Sequence, residues 1–425
     1  MLTLPPLTWL TLAATLEVGA LLALLGHLKL QLARRPDQAD RQFLGLLSML
    51  NLLLVPLFLA AGLLVDRFGA RALFLTGSIL LTLAFLSFSG GLAYWRTLTA
   101  VLVAAAGGAC VSVTAITLMP AGLFGREQAA ASMQLGLVLV ALAALVTPPL
   151  VERVFNAVGV RTGLAVVALV FLAPAFLVAL PAADEFPARA TADSVEDLLH
   201  EPGLWVGAAV VFFYAPFEAF VSIWTATYLG QVGRQEKESR WLGRFWAAML
   251  GSRLAVALLQ QAGGLGDAYD SWFLVLLAML AAVSLGNLSG VMRIDRARAG
   301  VVLVGLFLGP VFPLLLGMLV RVAGVKEVPG TAYGLLFAAG SIGSVVFTPL
   351  VRYSARERTI QSALRLPLLI ALALTAAALV FALLAAGDRD GGSVPRLRDA
   401  AVLSERLGGG RVDAQQRIEA GVKAG

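Results

Sequence analysis

Two glutamates, Glu17 and Glu218, stand near the middle of runs that otherwise read as oily helix, TLAATLEVGALLALL and FFYAPFEAFVSIW. A charged side chain at mid-bilayer costs about 2.5 to 3.5 kcal/mol on insertion scales, so such a residue faces a bundle interior, carries a proton or has a partner. For Glu218 the candidate partner is Arg253, near the middle of the next helical run and at a similar depth. The pair is either substrate-facing or structural, because a buried ion pair can fix helix register while adding little net stability. Stepping by four and three from Tyr214 gives Glu218, Val221, Thr225 and Tyr228, with Ser222 and Trp224 beside them, which makes one helix face nearly all polar. Steps of seven place Trp246, Arg253 and Gln260 along one face of the following helix. Two polar stripes with aromatics suit a wet cavity for a small polar solute, offering hydrogen bonds to its hydroxyls and ring stacking. Tyr228, close to a helix end, fits the interfacial aromatic belt better.

Glu17 shares its face with Ala13, Ala20 and Leu24 and has no partner in its own helix. A carboxylate that is protonated when closed off and ionised when wetted can couple proton flow to alternating access, which makes Glu17 the first candidate for proton coupling and Glu218 the second. The alternative for Glu17 is a neutral side chain bonded to a backbone carbonyl of a neighbouring helix. Asn51 and Gln134 are further cavity candidates, with interhelical hydrogen bonding as their alternative role. Pro216, Pro310, Pro313 and Pro349 can free backbone carbonyls toward a cavity. His27 and His200 have no metal-ligand company, and the single cysteine, Cys110, has no partner for a disulfide, so no metal site is expected. No Gly-x-x-x-x-Gly-Lys-Ser/Thr loop occurs, which argues against ATP as the energy source and leaves an ion gradient.

These residues need helices to hold them. With 425 residues, 59% hydrophobic and only 14% charged, the chain has too little polar surface to coat a soluble globule and reads as an integral membrane protein. Apolar runs of spanning length recur, whereas the short alternating segments of a membrane barrel do not. The spans predicted are 7 to 30, 43 to 65, 72 to 94, 97 to 121, 128 to 151, 163 to 182, 205 to 230, 242 to 262, 272 to 291, 300 to 320, 331 to 351 and 366 to 386. That makes an all-α fold of twelve transmembrane helices, the first of them read as a helix and not a signal peptide. The longest polar interruption before the tail, AADEFPARATADSVEDLLHEPG, separates two sixes, giving halves at 1–182 and 205–386, a linker at 183–204 and a polar, disordered tail at 387–425. The run AAAGGA at 104–109 is packing, since small residues let helices approach closely. A net charge of +6 is spread over short loops and the tail, which suits lipid headgroups better than nucleic acid.

The two halves echo each other. A shift of 201 residues carries Gly62, Leu64 and Asp66 onto Gly263, Leu265 and Asp267, at equivalent helix ends, and the same shift carries Glu17 onto Glu218. Parallel six-helix repeats of this kind are a transporter layout.

The stretch GLLVDRFGAR, residues 62–71, resembles the loop signature of the major facilitator superfamily, Gly-x-Leu-x-Asp-Arg-x-Gly-Arg-Arg, lacking only the arginine where Ala70 stands. The resemblance implies that the loop is cytoplasmic, that Asp66, Arg67 and Arg71 latch an inward gate by pairing with helix ends, and that Gly62 and Gly69 serve the tight turn. The second copy, with Gly263 and Asp267, lacks the following basic residues. In the second half, FYAPFEAFVSIWTATYL, FWAAMLGSRL, GLFLGPVFPLLLG and GTAYGLLFAAGSIGSVVFTPL look like the fucose permease branch of sugar and proton symporters. That branch is associated with acids in the first and fourth helices; Glu17 matches the first, and the fourth has none. In the fifth helix, Thr147, Pro148 and Pro149 stand where the antiporter signature ends in Gly-Pro.

Together these features imply a secondary transporter, not an enzyme, that imports a small, sugar-like polar solute with protons. The rivals are efflux of amphipathic compounds and a non-transporting receptor or scaffold on the same fold. Expected partners are the small-molecule substrate, protons or another coupling ion, and membrane lipid, with no nucleic acid and no cofactor. The chain is expected as a monomer in the cell (inner) membrane. The resemblance places both termini in the cytoplasm, although the outward loops then hold most of the Lys and Arg, the reverse of the positive-inside pattern.

Overall fold

The computed structural model describes residues 5–33, 38–90, 94–174, 192–233, 239–263, 269–289, 294–357 and 364–390. In chain order the helices are α1 (Pro6–Ala33), α2 (Gln38–Phe68), α3 (Ala70–Ser89), α4 (Tyr94–Gly122), α5 (Ala129–Val158), α6 (Val160–Leu172) and α7 (Ala192–Leu199). They continue as α8 (Pro202–Gly233), α9 (Ser239–Gln261), α10 (Asp270–Ser289), α11 (Ile294–Leu308), α12 (Val311–Leu319), α13 (Ala323–Glu327), α14 (Pro329–Glu357) and α15 (Arg365–Asp390). Where they are described, the twelve expected spans fall on helices, as they must where no water is available to pair backbone groups; of the sixth, residues 163–174 are described. The tenth is two helices, α11 and α12, divided at Gly309 and Pro310.

Small residues set the spacing. The run predicted as packing lies in α4: a Cβ on Gly107 would meet Gly77 O of α3 at 2.9 Å, and one on Gly108 would meet Leu21 of α1 at 2.8 Å. Buried Phe74, Leu81 and Phe85 of α3 fill the first-half core around this contact. Helices from the two ends of the chain also pack on one another, α2 on α14 and α5 on α9 and α12. Within the stretch expected as a linker lies α7, whose Leu198 joins Leu204, Val325, Val328 and Ala332 in a small apolar cluster against α13. Residues Met1–Phe381 form one compact unit, and the second, Ala382–Gly425, is described only for the last turns of α15.

Candidate functional site

The break between α11 and α12 organises the site. Proline at 313 has no N–H, so the Gly309 carbonyl four residues earlier loses its helical donor. A carbonyl freed in an apolar interior must find another partner. The Arg253 guanidinium of α9 supplies it, Nε donating to Gly309 O at 2.8 Å. The Pro310 carbonyl accepts twice, from Leu314 N at 3.0 Å and from Gln134 Nε2 of α5 at 3.0 Å. The prolines thus free a carbonyl as expected, and protein side chains take it up.

Arg253 is buried and makes a second contact, Nη2 donating to the Tyr214 hydroxyl at 3.4 Å. Tyr214 in turn hydrogen-bonds Glu218, one turn further along α8, and the Arg253 charge acts on that carboxylate. The three side chains expected on facing stripes are therefore one polar chain from Gly309 to Glu218. The Tyr214 ring stacks on Phe312 of α12, centroids 5.3 Å apart and planes 18° apart. Phe312 meets Phe337 of α14 at 6.1 Å, and Phe337 meets Phe58 of α2 at 5.1 Å. Phe312, Phe337 and Phe58 are only half-buried, so apolar ring surface stands next to the polar chain. Pro216 has a local effect of its own, because it leaves the Phe212 carbonyl without its helical donor. Gly343 of α14 backs onto that oxygen, where any Cβ would collide.

Glu17 is buried inside the first-half bundle. Its Oε2 accepts from Ser78 Oγ of α3 at 3.0 Å, and its Oε1 has no hydrogen-bond partner among the described residues. No cation pairs with it among those residues. Ser78 also donates to Phe74 O at 3.0 Å, so its hydroxyl is shared between the carboxyl and its own helix.

Asp66, at the end of α2, sits at the N-terminus of α14. Its Oδ1 accepts from Gly330 N at 2.9 Å, and its Oδ2 accepts from Thr331 N at 2.6 Å and Thr331 Oγ1 at 2.7 Å. These are the unsatisfied amides of a first helical turn, at the positive end of the helix dipole. Gly62 permits the approach, since a Cβ there would lie 2.6 Å from Gly330 O. Gly69 caps α3 at φ 88°, a left-handed conformation that glycine adopts freely. Arg67 is exposed and lies over the Phe68 ring at 5.7 Å, and Arg71 is half-buried and engaged.

The remaining expected residues scatter. Gln260 is with the helix ends, donating from Nε2 to Asp270 Oδ1 at 3.2 Å, where Arg321 also pairs with Asp270 at 3.4 Å. Trp246 is exposed and packs edge-on to Phe245. Gly263 has φ 74°, in keeping with a turn. Gln134 of α5 is fully buried and bonded to the Pro310 carbonyl at the helix break. Ser222, Trp224 and Thr225 lie on α8 and Asn51 on α2, but their side chains are outside the described set, and Asp267 lies outside the described residues. Sequence reasoning missed Ser78, Phe312 and Phe337. Ser78 was signalled only by Gly77-Ser78 as a small polar pair in an apolar run, and the two phenylalanines flank the glycine and proline segments already singled out.

The model of the Major Facilitator Superfamily matches residues 7–348. Among solved structures, the chain is similar to the transporter FucP in its outward conformation, with 16% identity, TM-score 0.71, and coverage of 88% of this chain and 97% of that one. A variant of the E. coli fucose:proton symporter FucP gives 15% identity, TM-score 0.69, and coverage of 88% and 98%. A human organic anion transporter gives 14% identity, TM-score 0.64, and coverage of 88% and 98%. At these identities the likeness concerns the fold. No curated protein matches.

Proposed function

Because this chain belongs to the Major Facilitator Superfamily, we propose that it is a secondary active transporter that imports a small, sugar-like polar solute together with protons. In this reading residues 1–182 and 205–386 rock against each other about the broken helix, with the linker and tail in the cytoplasm. The observation that carries the reading is the Arg253–Tyr214–Glu218 chain beside half-buried phenylalanines. Charged and hydroxyl groups there offer donors and acceptors to hydroxyls, and the ring faces suit the apolar side of a sugar. The fold carries solutes of several chemistries, so only the site argues for the solute.

Glu17 is the proton carrier of the scheme and Glu218 the carboxylate nearest the solute. Among the described residues Glu17 has one hydroxyl donor and no cation, an arrangement that a protonated side chain tolerates and a bare carboxylate in hydrocarbon does not. Asp66, with Gly62, Gly69, Arg67 and Arg71 around the same turn, is the inward gate, and its bonds to α14 hold that end shut. Efflux of amphipathic compounds is the rival reading, and the polar chain at the site favours the first.

The test is ligand-dependent thermal stabilisation of the purified protein against sugars, nucleosides, organic acids and drugs. A sugar or polyol should raise the melting temperature of the parent, and Arg253→Gln and Tyr214→Phe should each diminish the effect. Stabilisation by amphipathic drugs alone would overturn the solute class, and stabilisation that survives both substitutions would remove this site from binding.

A further inference from the structure

A cavity of about 480 Å³ opens near the start of α14, and none of Tyr214, Glu218 or Arg253 lines it. Its polar lining comes from two distant stretches of the chain: Thr117 of α4 with Arg126 and Glu127 from the turn between α4 and α5, and Arg321, Lys326 and Tyr333 from the segment running from α12 into α14. Arg321 already faces a carboxylate, Asp270, at 3.4 Å. Arg126 and Lys326 have no hydrogen bond or ion pair among the described residues, and both are exposed. Arg126 lies close enough to the buried Tyr333 hydroxyl to act on it electrostatically. Glu127 is exposed and bonds neither cation.

Two unengaged cations and one carboxylate therefore share a cavity whose volume lies within the range of small-molecule sites. Low-dielectric walls strengthen the field of such a pair and draw in a counter-charge. The cavity has room for more than an inorganic ion, and a phosphate ester presents acceptors that suit an arginine fork and a lysine ammonium together.

We propose that this cavity is a binding site for a phosphate ester, held between Arg126 and Lys326. The bound anion ties the α4–α5 turn to the α12–α14 segment, so it stabilises the arrangement in which Asp66 grips α14. This site is separate from the solute site and stands whether or not the solute is a sugar. The phosphate ester has two sources, a soluble metabolite or the headgroup of an anionic lipid.

The experiment has an arm for each. Glycerol 3-phosphate is added to the protein in detergent against sodium chloride of equal ionic strength, and the protein is separately placed in nanodiscs of phosphatidylglycerol or of phosphatidylcholine. A higher melting temperature with glycerol 3-phosphate, or in phosphatidylglycerol, is expected for the parent, and the responding arm names the source. Arg126→Gln with Lys326→Gln should weaken the response about tenfold, the scale of charge-assisted contacts at a partly solvated site, and Arg126→Lys with Lys326→Arg should keep it. Should the neutralised protein fail to fold, the decisive reading is Thr117→Cys on a Cys110→Ser background, because Thr117 lines the cavity. The anion should slow its reaction with maleimide. No response in either arm, an equal response in the neutralised variant, or unprotected Thr117→Cys overturns the proposal.

Discussion

Arg253 and Glu17 mark two ways of keeping an ionisable group in a membrane. Arg253 is held by a carbonyl that proline leaves unpaired and by Tyr214, which passes the contact on to Glu218. Removing one member strands the others, which costs more than the bond itself. Tyr214→Phe should therefore weaken solute binding about tenfold, read by calorimetry, with the fold retained because Phe keeps the stacking on Phe312. Glu17 holds one hydroxyl. In reconstituted vesicles Glu17→Gln should abolish solute accumulation driven by a proton gradient and leave solute exchange at equilibrium intact. Loss of exchange as well would make Glu17 a structural residue. The glutamates, Tyr214 and Arg253 were legible because a charge in an oily run is conspicuous and helical spacing aligns them. Ser78 was not, because its relation to Glu17 depends on the azimuth at which α1 meets α3, which no local pattern encodes.

At the scale of elements, glycine contacts separate what is fixed from what moves. Gly77 lies within the first-half bundle, where a Cβ would stand 2.7 Å from Val111. Gly77→Leu should lower thermal stability by about 2 kcal/mol, the ordinary penalty of overpacking, in melting experiments with or without solute. Gly334 faces the Phe58 carbonyl across the α2–α14 contact, where a Cβ would collide. If those helices part during transport, Gly334→Leu should favour the form open at that end. Asp66→Ala should act in the same direction. Losing its bonds to Gly330 and Thr331 is worth about 2 kcal/mol, a shift of about thirtyfold in the ratio of open to closed molecules. Spectroscopic distances between labels on α2 and α14 would report both, and unchanged distances would remove the latch from gating. The spans themselves were readable from length and hydropathy, and the prolines at 310 and 313 pointed to carbonyls that could be freed, though not to the division of the tenth helix. The stripe through Trp246, Arg253 and Gln260 did not survive as one surface. Residues seven apart are about 10 Å apart along a helix, so Gln260 reaches Asp270 at the helix end while Arg253 stays at the break.

For the whole molecule, fold and family were within reach of the sequence because GLLVDRFGAR, the twelve spans and the 201-residue echo agree. Orientation was not, because the loop charges and the signature loop point opposite ways. Glu196 of α7 is exposed and belongs to the linker. A Glu196→Cys substitution on a Cys110→Ser background should react with an impermeant maleimide only from the cytoplasmic side. Reaction only from outside would invert the gate assignment.

The central claim is that a proton gradient drives uptake of a polar solute through these two carboxylates. It is tested most directly in proteoliposomes, with a radiolabelled solute from the stability screen and an imposed pH gradient, acid outside. Accumulation above equilibrium is expected in the parent, with collapse on adding a protonophore, and none in the Glu17→Gln, Glu218→Gln double variant. Accumulation of equal size in that variant would contradict it.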